Sequence, residues 1–167
     1  MKLELRTPEI APAIHPADAE DAAEILALQK LCFQSEARLS NNNQIPPLTQ
    51  TLTDLTHEFE TLRILKFVLG DKIIGSVRGK LVGETCQIGR LMVHPKYQKR
   101  GLGSQLIAQI ELNFASAKRF ELFTGSFSVS NLRLYKHLGY REVRRVAVSD
   151  KLDLIYLQKS AVLPQPN

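Results

Sequence analysis

Apolar positions along this chain fall into two rhythms, one helical and one strand-like. Ala22, Ile25, Leu26, Leu28, Leu31 and Cys32 recur at helical spacing and predict one buried stripe. Asp18 lies ahead of this run with Asp21 three residues on, which predicts an N-terminal cap of capping-box type and a helix to about Phe33. Over residues 34–48 the rhythm is lost, and Asn41-Asn42-Asn43 with Pro46-Pro47 predicts a long loop. Thr53 and Asp54 open a second helical stretch to about Thr61, with Leu55, Phe59 and Leu62 inward. Strand patterning follows over residues 64–69, 72–82 and 85–93, punctuated by Gly70-Asp71 and Gly83-Glu84. Short turns between such runs predict three consecutive antiparallel strands. Gly75 and Gly79 inside the second predict a bulge or a close neighbour.

Pro95, which has no amide hydrogen, stops the third strand. Helical spacing returns at Leu102, Leu106, Ile107, Ile110 and Phe114 and runs to about Ser116. Residues 119–124 form the next strand, and the order strand, helix, strand implies a crossover with parallel pairing. Residues 131–138 read as a short helix ended by Gly139 in a left-handed cap. Residues 140–148 and 151–158 make a closing hairpin about Ser149-Asp150. At the start, Ile14-His15 reads as a short first strand, while Leu3 to Arg6 alternates before Pro8 and Pro12 interrupt it. Residues 164–167 read as a frayed tail.

With 167 residues, one domain over 1–167 is expected, its core at about 14–158 and irregular ends at 1–13 and 160–167. At 44% hydrophobic and 23% charged, the chain can build a real core. No apolar run reaches the roughly 20 residues that span a bilayer, and the first residues lack an apolar signal core. We therefore expect a cytoplasmic protein with no membrane partner. Cys32 and Cys86 have no metal-like spacing and sit in apolar patterns, as buried small residues do. The four histidines are scattered, so no metal is expected.

The net charge of +5 raises the question of nucleic acid. The positive residues are dispersed, however, with no basic run interleaved with aromatics, and no nucleic-acid partner is expected. Of two modest clusters, residues 141–145 suit the solvated face of an edge strand. Lys96, Lys99 and Arg100 suit a phosphorylated cofactor instead, because they surround Gly101 and Gly103 at the start of a helix. Glycines let a ligand approach the backbone, and the first helical amides lack intrahelical partners at the positive end of the dipole. A phosphate is bound well there. The loop has neither the Walker A ending nor the three-glycine dinucleotide spacing.

Gln98-Lys99-Arg100-Gly101-Leu102-Gly103 resembles the Gln/Arg-x-x-Gly-x-Gly/Ala pyrophosphate loop of the GCN5-related N-acetyltransferases (GNAT). The preceding Leu91-Met92-Val93-His94-Pro95 is similar to the exit of that family's central strand. Leu134-Tyr135, followed by Gly139-Tyr140, resembles a second signature, Leu-Tyr-x-x-x-Gly-Phe/Tyr. The resemblance implies an α/β fold: a mixed sheet of six to seven strands, antiparallel in its N-terminal part. A parallel, splayed pair would open at the cofactor site, with about four helices flanking the sheet.

The resemblance further implies an acetyl-CoA-dependent N-acetyltransferase that moves an acyl group to a primary amine of a small molecule or peptide by direct attack. Backbone groups of Leu91, Met92 and Val93 would bond the pantetheine arm. Gln98, Lys99, Arg100, Gly101, Leu102, Gly103 and Ser104 would hold the pyrophosphate. Where many members carry an Asn seven residues before the tyrosine, this chain has Ser128, with Asn131 nearby; either supplies a polar contact. Tyr135 would be the general acid for the departing thiolate.

Members often place a Glu on the central strand where this chain has Gly89 followed by Arg90. Glu36 is the best substitute as base or acceptor contact, ahead of Glu84, His94 or a water chain. A non-catalytic acyl-CoA-binding or regulatory module is the alternative, favoured by Gly89 and Arg90, as Tyr135 favours the enzyme. The acceptor is not readable, although basic net charge argues against a cationic polyamine. The terminal strands leave a homodimer open.

Overall fold

In the computed structural model, which describes residues 11–161, one seven-stranded sheet carries the fold. Its strands are β1 (Ala13–Pro16), β2 (Arg63–Leu69), β3 (Lys72–Val82), β4 (Thr85–Val93), β5 (Arg119–Gly125), β6 (Arg141–Ser149) and β7 (Leu152–Ser160). The spatial order is β1-β2-β3-β4-β5-β7-β6. Every neighbouring pair is antiparallel except β4 and β5. Those two follow each other across helix α5 (Leu102–Asn113), as the crossover requires.

Residues 73–79 of β3 are buried without a break, because helices cover the sheet on both faces. On one face α5 sets Leu102, Leu106, Ile107 and Ile110 against Leu65, Phe67, Ile74, Val77 and Ile88. Gly75 and Gly79 serve this contact. A Cβ at Gly79 would stand 2.7 Å from the Phe114 ring, and one at Gly75 would stand 3.1 Å from Leu106. On the other face, α1 (Ala22–Cys32) and α4 (Leu52–Glu58) bury Ile25, Leu26, Leu28 and Leu55 against Ile64, Ile73 and Met92.

The core assignment exposes an irregularity in β4. Ile88 faces α5, yet Met92, an even number of residues later, faces α1. Side chains alternate along a regular strand, so one residue has been inserted between them. The register shows it: Ser76 pairs with Met92 but Arg78 pairs with Gly89, and Arg90 takes φ +50°. This bulge bends β4 where β5 leaves it, since the parallel pairing ends at Gln87 and Glu121.

The four expected helices are present as α1, α4, α5 and α6 (Val129–His137), the last followed by Gly139 at φ +96°. The Asp18/Asp21 capping box is formed, on a short 3-10 turn ahead of α1. The stretch 34–48 is not a plain loop, however. It contains α2 (Gln34–Ser40) and one turn, α3 (Pro46–Thr49). Ser35 to Leu39 is short but contains good helix formers, buries Ala37, and ends with Asn41 in the left-handed conformation. Pro46 starts α3 at the position where its missing amide hydrogen costs nothing. The second predicted cap also moves: Thr51 caps α4, with Asp54 as the third helical residue of a capping box. Helix α5 stops at Asn113, short of Ser116. The alternating residues 3–6 and the tail 164–167 lie outside the described residues.

Candidate active site

Where β4 and β5 part, two clefts meet. One, of about 500 Å³, runs from Gly101–Ser104 past Leu91, Met92 and Val93 to α6. The other, of about 600 Å³, lies between β4, β5 and the α2–α3 segment. Phe33, Glu36, Leu39, Leu91, Phe127, Ser128 and Asn131 line both and so mark their junction.

The first cleft is built to accept an anion at one end. Gly101 caps α5 at φ +80° without a side-chain cap bond. The amides of Leu102, Gly103 and Ser104 make no hydrogen bond to the protein among the described residues. Unpaired amides at the positive end of a helix favour phosphate. Lys99 lines this end, itself at φ +62°. Arg100 does not line it; its guanidinium stands 5.6 Å over the Tyr97 ring. Gln98 turns back, donating from Nε2 to the Val93 carbonyl at 3.0 Å.

Along the cleft wall β4 offers an open edge. His94 donates its amide to the Ile74 carbonyl, so the alternate residues Val93 and Leu91 turn their backbone groups to the gap. Met92 points its side chain into the α1 core. Cys32 stands half-buried on this wall rather than in the core, its thiol donating to the Val93 carbonyl at 3.4 Å. Burial pushes that thiol up to about 11, so it is no ready thiolate nucleophile. Cys86 is fully buried, as its apolar context suggested.

Tyr135 lines the second cleft from α6 and is 5% exposed, with its ring 6.1 Å from that of Tyr140. Burial, with a smaller contribution from the Glu36 carboxylate, raises its phenol well above the usual tyrosine range. The hydroxyl therefore carries its proton at every physiological pH. Glu36 comes from α2 to the junction and accepts a hydrogen bond from Ser128 Oγ at 3.2 Å. Burial holds its carboxyl above the ordinary range, against the lowering effects of Ser128 and the more distant Arg90 charge. Ser128 starts α6 and Asn131 lies in its first turn; both line the junction. Glu84 is elsewhere, paired with Lys118 at 2.7 Å, and His94 lines neither cleft but accepts the Lys96 amide.

Two site residues escaped the reading of the sequence. Arg78 and Arg90 both line the second cleft. Arg78, 3% exposed, bonds Glu58 at 2.9 Å and also Gln29. The signal was present: a charged residue at an inward strand position needs either a partner or a ligand.

Sequence and fold comparisons bear on the fold. The acetyltransferase (GNAT) domain family matches residues 63–142, from β2 through the start of β6. That stretch is similar to GNAT acetyltransferase domains. Among curated proteins the chain is 25% identical over 135 residues to the UPF0157 protein YqkA of Bacillus subtilis, covering 81% of this chain. The chain spans 39% of that protein's length.

Two solved structures share the fold over nearly their whole length. The PaiA N-acetyltransferase of Thermoplasma acidophilum, in complex with coenzyme A, superposes with a TM-score of 0.76 at 14% identity, covering 90% of this chain and 99% of that one. The ribosomal-protein-S18-alanine N-acetyltransferase of Escherichia coli gives 0.74 at 15% identity, covering 94% and 98%. At these identities the likeness is one of fold.

Among the described residues no helix is long and apolar enough to cross a membrane. The basic residues 141–145 lie on β6, an edge strand exposed along its length.

Proposed function

We propose that residues 1–167 form a single acetyltransferase domain that transfers an acetyl group from acetyl-CoA to the primary amine of a small molecule or peptide. The observation that carries this reading is the meeting of the two clefts. The cleft with unpaired helix amides ends where Glu36, Leu91, Ser128 and Asn131 face the cleft that holds Tyr135. The residues fit coenzyme A. Amides of Gly101 to Ser104 would hold the pyrophosphate, the Leu91 backbone and the Val93 amide would bond the pantetheine arm, and Ser128 or Asn131 would add a polar contact. When bound, acetyl-CoA supplies an activated acyl group at the junction.

The reaction forms an amide N–C bond and breaks the thioester C–S bond. Glu36 takes the proton that the acceptor ammonium must lose to become nucleophilic. Tyr135 gives its Oη proton to the sulfur as it leaves. Both groups regain their starting states through solvent. Cys32, held protonated, is unsuited to accept the acyl group, which favours direct attack over an acyl-enzyme.

Two expected outcomes arise here. At Gly101, φ +80° is costly for a side chain by about 1–2 kcal/mol. Gly101→Val should therefore weaken coenzyme A binding by roughly tenfold, read by calorimetry. For Glu36 the sign follows from its raised pKa: the base is active only when ionised. Thus kcat/KM rises with pH through a limb above the usual carboxylate range. Glu36→Gln removes this limb and lowers kcat about a hundredfold. An unchanged limb in that variant assigns the base elsewhere.

A non-catalytic binding module is the second reading, supported by the absence of a carboxylate at Gly89, where a Cβ would meet nothing within 4 Å. Release of free thiol from acetyl-CoA over an amine panel separates the two. The enzyme releases thiol in proportion to acceptor; the module binds coenzyme A and releases none.

A further inference from the structure

The second cleft holds more positive charge than it neutralises internally. Glu58 is engaged by Arg78 at 2.9 Å, and Glu36 accepts from Ser128. Arg90 lines the same space and has no carboxylate within 4.0 Å, while its Nε is buried with no hydrogen-bond partner among the described residues. The charges acting on it are Glu58 and Glu36, both spoken for. Arg90 is half-buried, and a guanidinium nitrogen buried without a hydrogen-bond partner is costly. The backbone makes the choice more pointed. Arg90 occupies the bulge at φ +50°, a conformation that glycine or asparagine adopts more readily. Unfavourable conformation and unfavourable desolvation coincide at one residue, and such coincidence marks a ligand contact more often than a structural one.

The position of Arg90 narrows what the ligand can be. It precedes Leu91, the strand residue that lines both clefts, so a group bound to Arg90 stands beside the junction. In front of the strand, Gly89 leaves open space where a side chain would otherwise fill the cleft. The planar fork of a guanidinium matches a carboxylate with two parallel hydrogen bonds. We propose that the acceptor is an amino carboxylate, a small molecule bearing both the reacting amine and a carboxylate, and that the Arg90 guanidinium binds the carboxylate. Glu36 at the junction then faces the ammonium end, so one molecule satisfies the cation and the anion of the cleft together. This inference rests on the N-acyl transfer reading.

The test is steady-state thiol release with acetyl-CoA and matched pairs: free amino acids, the same amino acids as α-amides, and a short peptide with an unblocked N-terminus. The wild type is expected to favour at least one acid over its amide by tenfold or more in kcat/KM. In Arg90→Gln that ratio collapses toward one, chiefly through a higher KM for the acid, whereas Arg90→Lys keeps part of it. Arg90→Gly relieves the backbone and removes the charge, so its melting temperature holds while the preference is lost; this separates binding from folding. Equal rates for acids and amides, a preference that survives in Arg90→Gln, or a peptide favoured over every amino acid overturns the inference and leaves the transfer reading standing. No acceptor-dependent thiol release from a protein that still binds coenzyme A overturns both.

Discussion

Tyr135→Phe is expected to bind coenzyme A as the wild type does and to turn over about 10²–10⁴-fold more slowly, the range of a lost general acid. The substitution removes one oxygen and leaves the ring in its core site, packed near Tyr140 under α5. The hydroxyl makes no hydrogen bond to another protein group among the described residues, so its loss leaves no stranded partner. Stability should therefore hold to within about 1 kcal/mol. Its proton is held tightly because burial disfavours the phenolate. As the proposed acid, Tyr135 would be fully protonated, at the cost of acid strength. A thiolate departing into the same desolvated site would have its proton affinity raised in parallel, which would keep donor and acceptor matched. The measurement is kcat at saturating acetyl-CoA beside a calorimetric Kd. An unchanged kcat assigns the proton to another group.

Glu58→Ala is expected to cost about 3 kcal/mol of folding stability, read by urea unfolding. Arg78 is nearly fully buried, and burial draws its pKa down to about 10 while Glu58 opposes the fall. Removing Glu58 leaves that cation with only Gln29 and Gln50 as hydrogen-bond partners. It also strips Gln50 of the carboxylate to which its Nε2 donates at 2.7 Å. Gln29 further donates to the Pro47 carbonyl at 2.8 Å, so this network ties α1, α3 and α4 to β3. The loss is a large share of the 5–15 kcal/mol typical of a domain. Substituting both partners, Glu58→Ala with Arg78→Met, should recover much of it, because no buried charge is then left alone. A single variant as damaging as the double would show that the charge pair is not what holds these elements.

Most of the fold was legible because local signals agreed with one another. The bounds of β3 and β4 follow from the turns at Gly70 and Gly83, both at positive φ. The left-handed Gly139 ends α6 as its sequence indicates. What was not legible depends on contacts distant in sequence. Helix α2 is too short to announce itself by periodicity, and it gains stability by burying Ala37 against the body of the protein. The bulge at Arg90 leaves no mark in composition; it is visible only when the core faces of Ile88 and Met92 are compared. Arg78 and Arg90 sit one on each neighbouring strand, and only the pairing of β3 with β4 brings both into one cleft.

Glu36 illustrates the same limit from the other side. Its residue type suggested a base, but nothing nearby in sequence placed it opposite Ser128, which is 92 positions away. The fold set that distance by carrying α2 over the splayed end of the sheet.

A crystal structure with acetyl-CoA bound tests the central claim most directly. It should show the pyrophosphate on the amides of Leu102, Gly103 and Ser104, the pantetheine along Leu91 and Val93, and the thioester sulfur within hydrogen-bonding reach of Tyr135 Oη. A pyrophosphate held away from the α5 N-terminus, or a sulfur that ends outside the junction of the two clefts, would contradict it.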